Sequence, residues 1–199
     1  MGRPKTDLED RIVEAADRLF YERGYTNTGV QDIVTAARTN KPGFYNYFST
    51  KEELARRYVT DRSEAMTAII ARAAEGSTDL PDFVRRWMGA LKSETREGGL
   101  TRHGCGVANF AQQTDRTEQP MQKFMSEVTR RWLARTTAYI RSGVRDGRFP
   151  TAPGAGDIAR RIFLVQEGAL TMYRLSGSTR YFDEAAEMFE AWLSAQAPR

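Results

Sequence analysis

The chain has 199 residues, of which 40% are hydrophobic and 28% charged, and its formal net charge is +4. This is the composition of a globular protein with a core, and the mild positive charge permits nucleic-acid binding without requiring it. No apolar run approaches the roughly 20 residues of a membrane span, and the N-terminus is not a signal sequence. One cysteine and one histidine provide neither a disulfide nor a zinc site of the usual kind. We expect a cytoplasmic protein with no metal, no cofactor and no membrane partner.

The first residues are basic and contain a proline, which is typical of an arm that lies in the minor groove of DNA. Arg3 is the candidate contact in this arm, and an untethered terminus is the alternative. Apolar residues at helical spacing then predict a first helix from about Ile12, which Gly24 would end in a left-handed cap.

Two short helices are predicted next. Val30, Ile33, Val34 and Ala37 follow the spacing of one helical face, and Thr28 with Gln31 has the pattern of a capping box. The start of a second short helix is predicted immediately after this one.

The second short helix is predicted at residues 41–48. Asn40 is a good N-cap, and Pro42 is tolerated only in a first turn. Thr50 with Glu53 forms another capping box, so a further helix begins there. Two short helices joined by a few residues suit insertion into the major groove of DNA. We expect Phe20, Ile33 and Phe48 to form the small core behind them.

This stretch resembles the tetracycline-repressor (TetR) family of bacterial transcription regulators. The resemblance lies in Gly24-Tyr25, Thr28 and Ile33, in the run KPGFYNYF at residues 41–48, and in KEEL at 51–54. The chain departs from the family at residues 37–40, where Ala-Arg-Thr-Asn replaces the usual Ala-Gly-Val-Ser. Arg38 must then adopt a turn conformation that glycine takes more cheaply. With Arg3, the residues expected at the DNA are Thr28, Asn40, Lys41, Pro42, Gly43, Tyr45, Tyr47 and Lys51.

The rest of the chain is predicted to be helical as well. Apolar periodicity indicates helices near residues 51–75, 80–91, 105–111, 121–146, 157–175 and 181–195. The expected fold is all-α with about nine helices. A three-helix, helix-turn-helix DNA-binding domain would occupy residues 1–55, with the motif at about 29–48. A helical ligand-binding and dimerisation domain would occupy 56–199, and the long helix from Lys51 would link the two mechanically.

The helix predicted at 157–175 carries two apolar strips, and two strips need two partners. One strip would face the chain's own core and the other a second copy of the chain, as in the homodimeric four-helix bundle by which the TetR family assembles. The residues assigned to this interface are Val165, Gly168, Met172, Phe182, Phe189 and Trp192.

A small organic ligand is the expected partner of the second domain, in a mostly apolar cavity with a few polar points. A filled core is the alternative for each aromatic residue taken alone. The residues assigned to this site are Trp87, Leu91, Cys105, Asn109, Phe110, Gln113, Trp132, Phe163, Gln166 and Tyr173.

The function expected from these features is that of a repressor released from a palindromic operator by a small molecule. A thiol-reactive inducer is a second possibility, because Cys105 precedes a predicted helix and lies close to His103, and both favour a reactive thiolate. An enzyme is the main alternative class, and a His103 and Cys105 pair is its one candidate. A protein that binds DNA without sequence preference is the third class.

Overall fold

The computed structural model describes residues 7–114, 119–149 and 154–196, and over these ranges it contains nine α-helices and no strand. The all-α prediction is therefore confirmed. Each helix in these ranges is too short or too polar to span a bilayer. The helices are α1 (Asp7–Arg23), α2 (Val30–Ala36), α3 (Lys41–Tyr45), α4 (Lys51–Glu75), α5 (Leu80–Ser93), α6 (Gly106–Ala111), α7 (Gln119–Arg145), α8 (Ala155–Ser176) and α9 (Arg180–Ser194).

Several helix ends lie where local side-chain chemistry predicts them. Asn40 Oδ1 accepts from the Gly43 amide at 2.8 Å at the start of α3, and Asp79 Oδ1 accepts from the Asp82 amide at 2.7 Å at the start of α5. Gly24 has the predicted positive φ after α1, at 91°. The start of α4 differs in detail, because the Thr50 hydroxyl accepts from Glu53 as expected while the Glu53 carboxylate accepts from the Ser49 amide.

The described residues divide into two compact units. The first contains the chain through Arg62 together with Gly106–Gln122, and the second contains Ser63–Cys105 and the chain from Lys123 onward. Helix α4 thus contributes its first half to one unit and its second half to the other, and α6 belongs to the first unit.

The first unit has a core built from α1, α2, α3 and the start of α4. Ile12, Ile33, Phe44 and Leu54 are completely buried there. Phe20 and Phe48, which the sequence also predicts for this core, are buried as expected.

In the second unit α9 packs against both α5 and α8. Phe182 is completely buried and Phe189 is 1% exposed, so both belong to the core of one protomer. Their assignment to a dimer interface is wrong, because the apolar strip of α9 is already covered by helices of its own chain. Two ion pairs flank this packing, Lys92 with Asp183 at 2.6 Å and Arg85 with Glu190 at 3.2 Å.

Candidate functional site

The turn between α2 and α3 is held in an unusual backbone conformation. Arg38 has a φ of 52°, and among the described residues it is the only non-glycine with a positive φ. The amide of Thr39 donates to the Val34 carbonyl at 2.9 Å, which closes the turn. The expected conformation of Arg38 is confirmed, and the turn keeps its geometry at the cost of left-handed strain.

The start of α2 differs from the prediction. Gly29 is the N-cap, and its amide donates to Asp32 Oδ2 at 2.8 Å. The Thr28 side chain is buried, and its hydroxyl donates to the Gly24 carbonyl at 2.8 Å. The capping box assigned to Thr28 and Gln31 is wrong, because the helix begins one residue later than that pairing requires. The hydroxyl of Thr28 stabilises the connection between α1 and α2 from inside and is not displayed at a DNA-binding surface.

Four of the nine residues expected to contact DNA are exposed on α3 and its N-cap. Asn40, Lys41, Pro42 and Tyr45 are exposed, and the exposed fraction of Tyr45 is 53%. The Tyr45 ring packs edge-on against buried Phe44, with 5.2 Å between centroids, which steadies an otherwise free aromatic side chain. Tyr47 is half-buried.

Gly43 lies close to the cap of α3. A Cβ at this position would lie 2.5 Å from Thr39 Oγ1 and 3.2 Å from Asn40 Oδ1. A side chain here would therefore require the Thr39 side chain to move and the capping Asn40 side chain to shift by a few tenths of an ångström.

Lys51 is engaged inside the first unit. Its Nζ donates to the carbonyls of Tyr25 and Thr28, both at 3.1 Å, and lies 4.1 Å from the centroid of the Tyr25 ring. Desolvation by burial holds its pKa below the usual lysine value. In this structure the ammonium group joins the start of α4 to the loop after α1, which is a different role from the phosphate contact predicted for it. Arg3, the remaining predicted DNA contact, lies outside the described residues.

Helix α6 and the turn that follows it contain three of the predicted ligand residues, and both belong to the first unit. The Phe110 ring lies 5.0 Å from the Tyr25 ring and 6.4 Å from the Tyr58 ring. The Thr26 hydroxyl donates to the Gln113 carbonyl at 3.2 Å, and Gln113 Nε2 donates to the Asn109 carbonyl at 3.1 Å. Asn109, Phe110 and Gln113 therefore belong to the first unit, where α6 packs on α1, and the other seven predicted ligand residues belong to the second.

In the second unit the predicted ligand residues gather around an aromatic trio. Phe163 stacks on Trp132 with parallel rings and 5.7 Å between centroids, and it meets Trp87 edge-on at 5.4 Å. Trp87 and Leu91, one turn apart on α5, are completely buried. Tyr173 lies further along α8, where its hydroxyl donates to the Thr95 carbonyl at 3.3 Å.

Three buried polar atoms lie close to this trio along its helices. Trp87 Nε1, Thr136 Oγ1 and Gln166 Oε1 have no hydrogen-bond partner within the described ranges, and all three residues are completely buried. Leaving such a group unpaired costs about 1 to 3 kcal/mol, so each unpaired group in a native protein calls for an explanation. Thr136 is four residues after Trp132, and Gln166 is three after Phe163, so each lies one helical turn from the aromatic trio.

A carboxyl group lies beside Gln166. Gln166 Nε2 donates to Glu167 Oε1 at 3.1 Å, and the Cys105 thiol also hydrogen-bonds to Glu167. Burial raises the pKa of Glu167 above the usual value, and these two hydrogen bonds offset part of that effect. Cys105 is buried and has a carboxyl group as its neighbour, which is not the electropositive and accessible setting in which reactive thiols are found.

An exposed apolar stripe runs along α8. Leu164, Met172 and Leu175 are 73%, 40% and 77% exposed, and Gly168 between them has nothing within 4 Å of an added Cβ. Met188 on α9 is 67% exposed. Of the predicted interface residues, Gly168 and Met172 lie on this stripe, while Val165 and Trp192 are half-buried. Leu164, Leu175 and Met188 were not among the predicted interface residues, although the helical spacing of the first two from Gly168 along α8 was a signal for them.

Comparison with known proteins gives two family matches. Residues 12–58 match the model described as "Bacterial regulatory proteins, tetR family", and residues 76–189 match the model described as "Tetracyclin repressor-like, C-terminal domain". The second match alone spans more than half of the chain.

Individual relatives match over nearly the whole chain. The HTH-type transcriptional repressor DhaR of Mycobacterium sp. (strain GP1) is 24% identical over 192 residues, which cover 95% of this chain and 94% of the relative. The transcriptional regulator AcuR of Cereibacter sphaeroides is 24% identical over 181 residues, covering 87% of this chain and 80% of the relative.

Solved structures show the same fold. A TetR-family transcriptional regulator from Streptomyces coelicolor superposes with a TM-score of 0.81 at 18% identity, covering 96% of this chain and 97% of that one. The regulatory protein TetR from Rhodobacter sphaeroides gives a TM-score of 0.79 at 20% identity, covering 92% and 97%.

Proposed function

This chain belongs to the TetR family of bacterial regulatory proteins, and on that premise we propose that it is a repressor that binds a palindromic operator and is released by a small organic effector. It is a DNA-binding transcriptional regulator and not an enzyme. The observation that carries the proposal is the exposed surface of α3 in the first unit, where Asn40, Lys41 and Tyr45 are exposed at the two ends of a short capped helix.

The chemistry of this surface suits DNA. Lys41 supplies a positive charge for phosphate, and the Asn40 side chain and the Tyr45 hydroxyl supply hydrogen-bonding groups at the two ends of the helix that would enter the major groove. The Arg3 arm completes the proposed set, and Thr28 acts from inside the first unit through the bond from its hydroxyl to the Gly24 carbonyl. Lys51 acts by stabilising the fold of the first unit, since its ammonium donates to the carbonyls of Tyr25 and Thr28.

A homodimer would present two copies of α3 to a palindrome. The apolar stripe of Leu164, Gly168, Met172 and Leu175 supports this, because an uncovered stripe on a long helix is the feature that pairs helices between protomers. Two recognition helices about 34–36 Å apart would meet successive major grooves on one side of the duplex.

The effector would bind in the second unit. The aromatic trio of Trp87, Trp132 and Phe163 provides apolar surface, and the three unpaired buried atoms near it provide polar points, which together resemble the lining of a small-molecule site. Repression is proposed because the relative DhaR is named a transcriptional repressor. Acting on bacterial DNA, the protein would work in the cytoplasm.

The test is to select bound fragments from a random double-stranded DNA library and sequence them. The expected result is one palindromic motif with its half-sites one helical turn apart. Lys41→Ala should weaken binding to that motif, whereas Lys123→Ala, which removes an exposed lysine from α7 in the second unit, serves as the matched control. Selection of sequences without a common motif, with strongly salt-dependent binding, would instead favour a protein that binds DNA without sequence preference.

A further inference from the structure

The second unit holds unpaired hydrogen-bonding groups of defined polarity next to aromatic surface. Trp87 Nε1 can only donate, and Gln166 Oε1 can only accept. Both residues are completely buried, and neither atom has a hydrogen-bond partner in the part of the chain that the structure describes. Phe163 is a neighbour of both residues. Its ring centroid lies 5.4 Å from that of Trp87, and it lies one helical turn before Gln166 on α8.

The orientation of the Gln166 amide is fixed by its neighbour. Gln166 Nε2 donates to Glu167 Oε1 at 3.1 Å. An ionised carboxylate accepts and does not donate, so beside ionised Glu167 the amide nitrogen faces the carboxylate and the amide oxygen faces away from it. In that state the unpaired atom of Gln166 is an acceptor.

The same carboxyl group sets the charge that the site can accept. Glu167 receives hydrogen bonds from two neutral groups, Gln166 and Cys105. An anion placed at Gln166 Oε1 would face an amide oxygen whose own amide nitrogen is bonded to the Glu167 carboxyl group, and both oxygen-bearing groups disfavour negative charge. A neutral donor meets no such penalty.

We propose that the effector is an uncharged, flat aromatic molecule that carries a hydrogen-bond acceptor for Trp87 Nε1 and a donor for Gln166 Oε1. Its ring lies against the aromatic trio of Trp87, Trp132 and Phe163, and Thr136 Oγ1 is a third polar point that can serve as donor or acceptor. This proposal rests on the proposed effector-responsive function and names the chemical class that the site selects.

Three two-ring probes of nearly equal size test it on the full chain. The probes are 2-quinolone, which carries adjacent N–H and C=O groups, naphthalene, which carries neither, and 2-naphthoate, which is an anion. Affinities are measured by calorimetry and by quenching of tryptophan fluorescence. The expected order is 2-quinolone first, tighter than naphthalene by about tenfold for the hydrogen bonds it gains, and 2-naphthoate last.

Substitutions assign the preference to named atoms. Gln166→Leu should remove most of the tenfold advantage of 2-quinolone while leaving naphthalene binding unchanged or tighter. Trp87→Phe should act in the same direction through the lost indole N–H. Thr101→Val is the control, because Thr101 is equally buried in the same unit but its hydroxyl already donates to the Leu91 carbonyl at 2.7 Å. The control should bind 2-quinolone as the unmodified protein does.

The outcomes separate this proposal from the function on which it rests. Naphthalene binding as tightly as 2-quinolone, tightest binding of 2-naphthoate, no binding of any probe, or a Gln166→Leu protein with an unchanged preference would each overturn the chemical class. Operator selection is measured on the same protein without any probe. A palindromic operator bound by a protein that fails the probe test would leave the regulator in place and remove only the effector class.

Discussion

The ammonium group of Lys51 lies 4.1 Å from the centroid of the Tyr25 ring and donates to the Tyr25 carbonyl at 3.1 Å. It also donates to the carbonyl of Thr28, so one side chain at the start of α4 fixes both ends of the segment between α1 and α2. A lysine at this position therefore acts first as a structural tether, although sequence pattern alone assigns it to a phosphate.

Replacement of Lys51 by Met should lower the stability of the protein by about 1 to 2 kcal/mol, because two carbonyls lose a charged donor. The salt slope of operator binding should stay nearly unchanged. Lys41→Ala, at an exposed lysine, should lower that slope by about one unit. Operator binding measured from low to high salt checks both variants. A decrease of one full unit in the salt slope of Lys51→Met would show that the Lys51 ammonium of the unmodified protein reaches DNA phosphate.

Replacement of Arg38 by Gly should stabilise the protein by about 1 kcal/mol, because glycine adopts a positive φ without the strain that a Cβ brings. Arg38→Ala is the matched control, since it removes the same charge and keeps the Cβ. Urea unfolding of both variants measures the effect. Equal stabilisation by Ala would mean that the guanidinium, and not the backbone conformation, is unfavourable.

Replacement of Leu175 by Glu should dissociate the proposed dimer while leaving the helical content unchanged, because Leu175 is 77% exposed within the protomer. Phe189→Glu should instead unfold the second unit, since Phe189 is 1% exposed. Sedimentation and circular dichroism distinguish the two results. A Leu175→Glu protein that sediments as a dimer at micromolar concentration would place the interface elsewhere.

Thr136 and Thr101 offer a matched pair, because both are completely buried in the second unit. Thr101→Val should cost about 1 to 2 kcal/mol, since it breaks the bond to the Leu91 carbonyl. Thr136→Val should be neutral or stabilising, since its hydroxyl has no partner within the described ranges. Thermal unfolding without added ligand compares them, and an equal loss in both would show that Thr136 is hydrogen-bonded in solution.

Glu167 should make stability depend on pH. Burial raises its pKa in the folded state, so the folded protein keeps this proton to a higher pH than the unfolded chain does. The free energy of unfolding should therefore fall as pH rises from the usual carboxyl pKa through the raised one. Above that window the full cost of holding an ionised Glu167 in the folded state should remain. Glu167→Gln should remove this dependence and raise the melting temperature at neutral pH. Glu187→Gln, on the exposed face of α9, is the control, and an unchanged pH profile in Glu167→Gln would contradict the assignment.

Local chemistry explains what could be predicted from the sequence. Asn40 and Asp79 cap their helices as expected, because a cap depends on residues within three or four positions. Arg38 adopts the conformation that the missing turn glycine implies for the same reason.

Long-range packing explains what could not be predicted. Periodicity identifies the apolar strip that contains Phe182 and Phe189 but does not say which element covers it, and in the structure the chain covers it itself. Phe110 was predicted to line an apolar cavity with other aromatic residues, and the sequence did not indicate that its ring would pack against Tyr25 and Tyr58, which precede it by many residues. No local signal distinguishes these alternatives.

The place of α6 in the first unit has a consequence for synthesis on the ribosome. Tyr25 and Tyr58 leave the ribosome well before Phe110, whose ring packs against both. At a translation rate of roughly 5 to 20 residues per second, Phe110 is synthesised several seconds after Tyr58. During that interval the aromatic surface formed by Tyr25, in the loop after α1, and Tyr58, on α4, is uncovered. A fragment ending before α6 should therefore be prone to aggregate, and a nascent chain should become protease-resistant only after α6 has emerged.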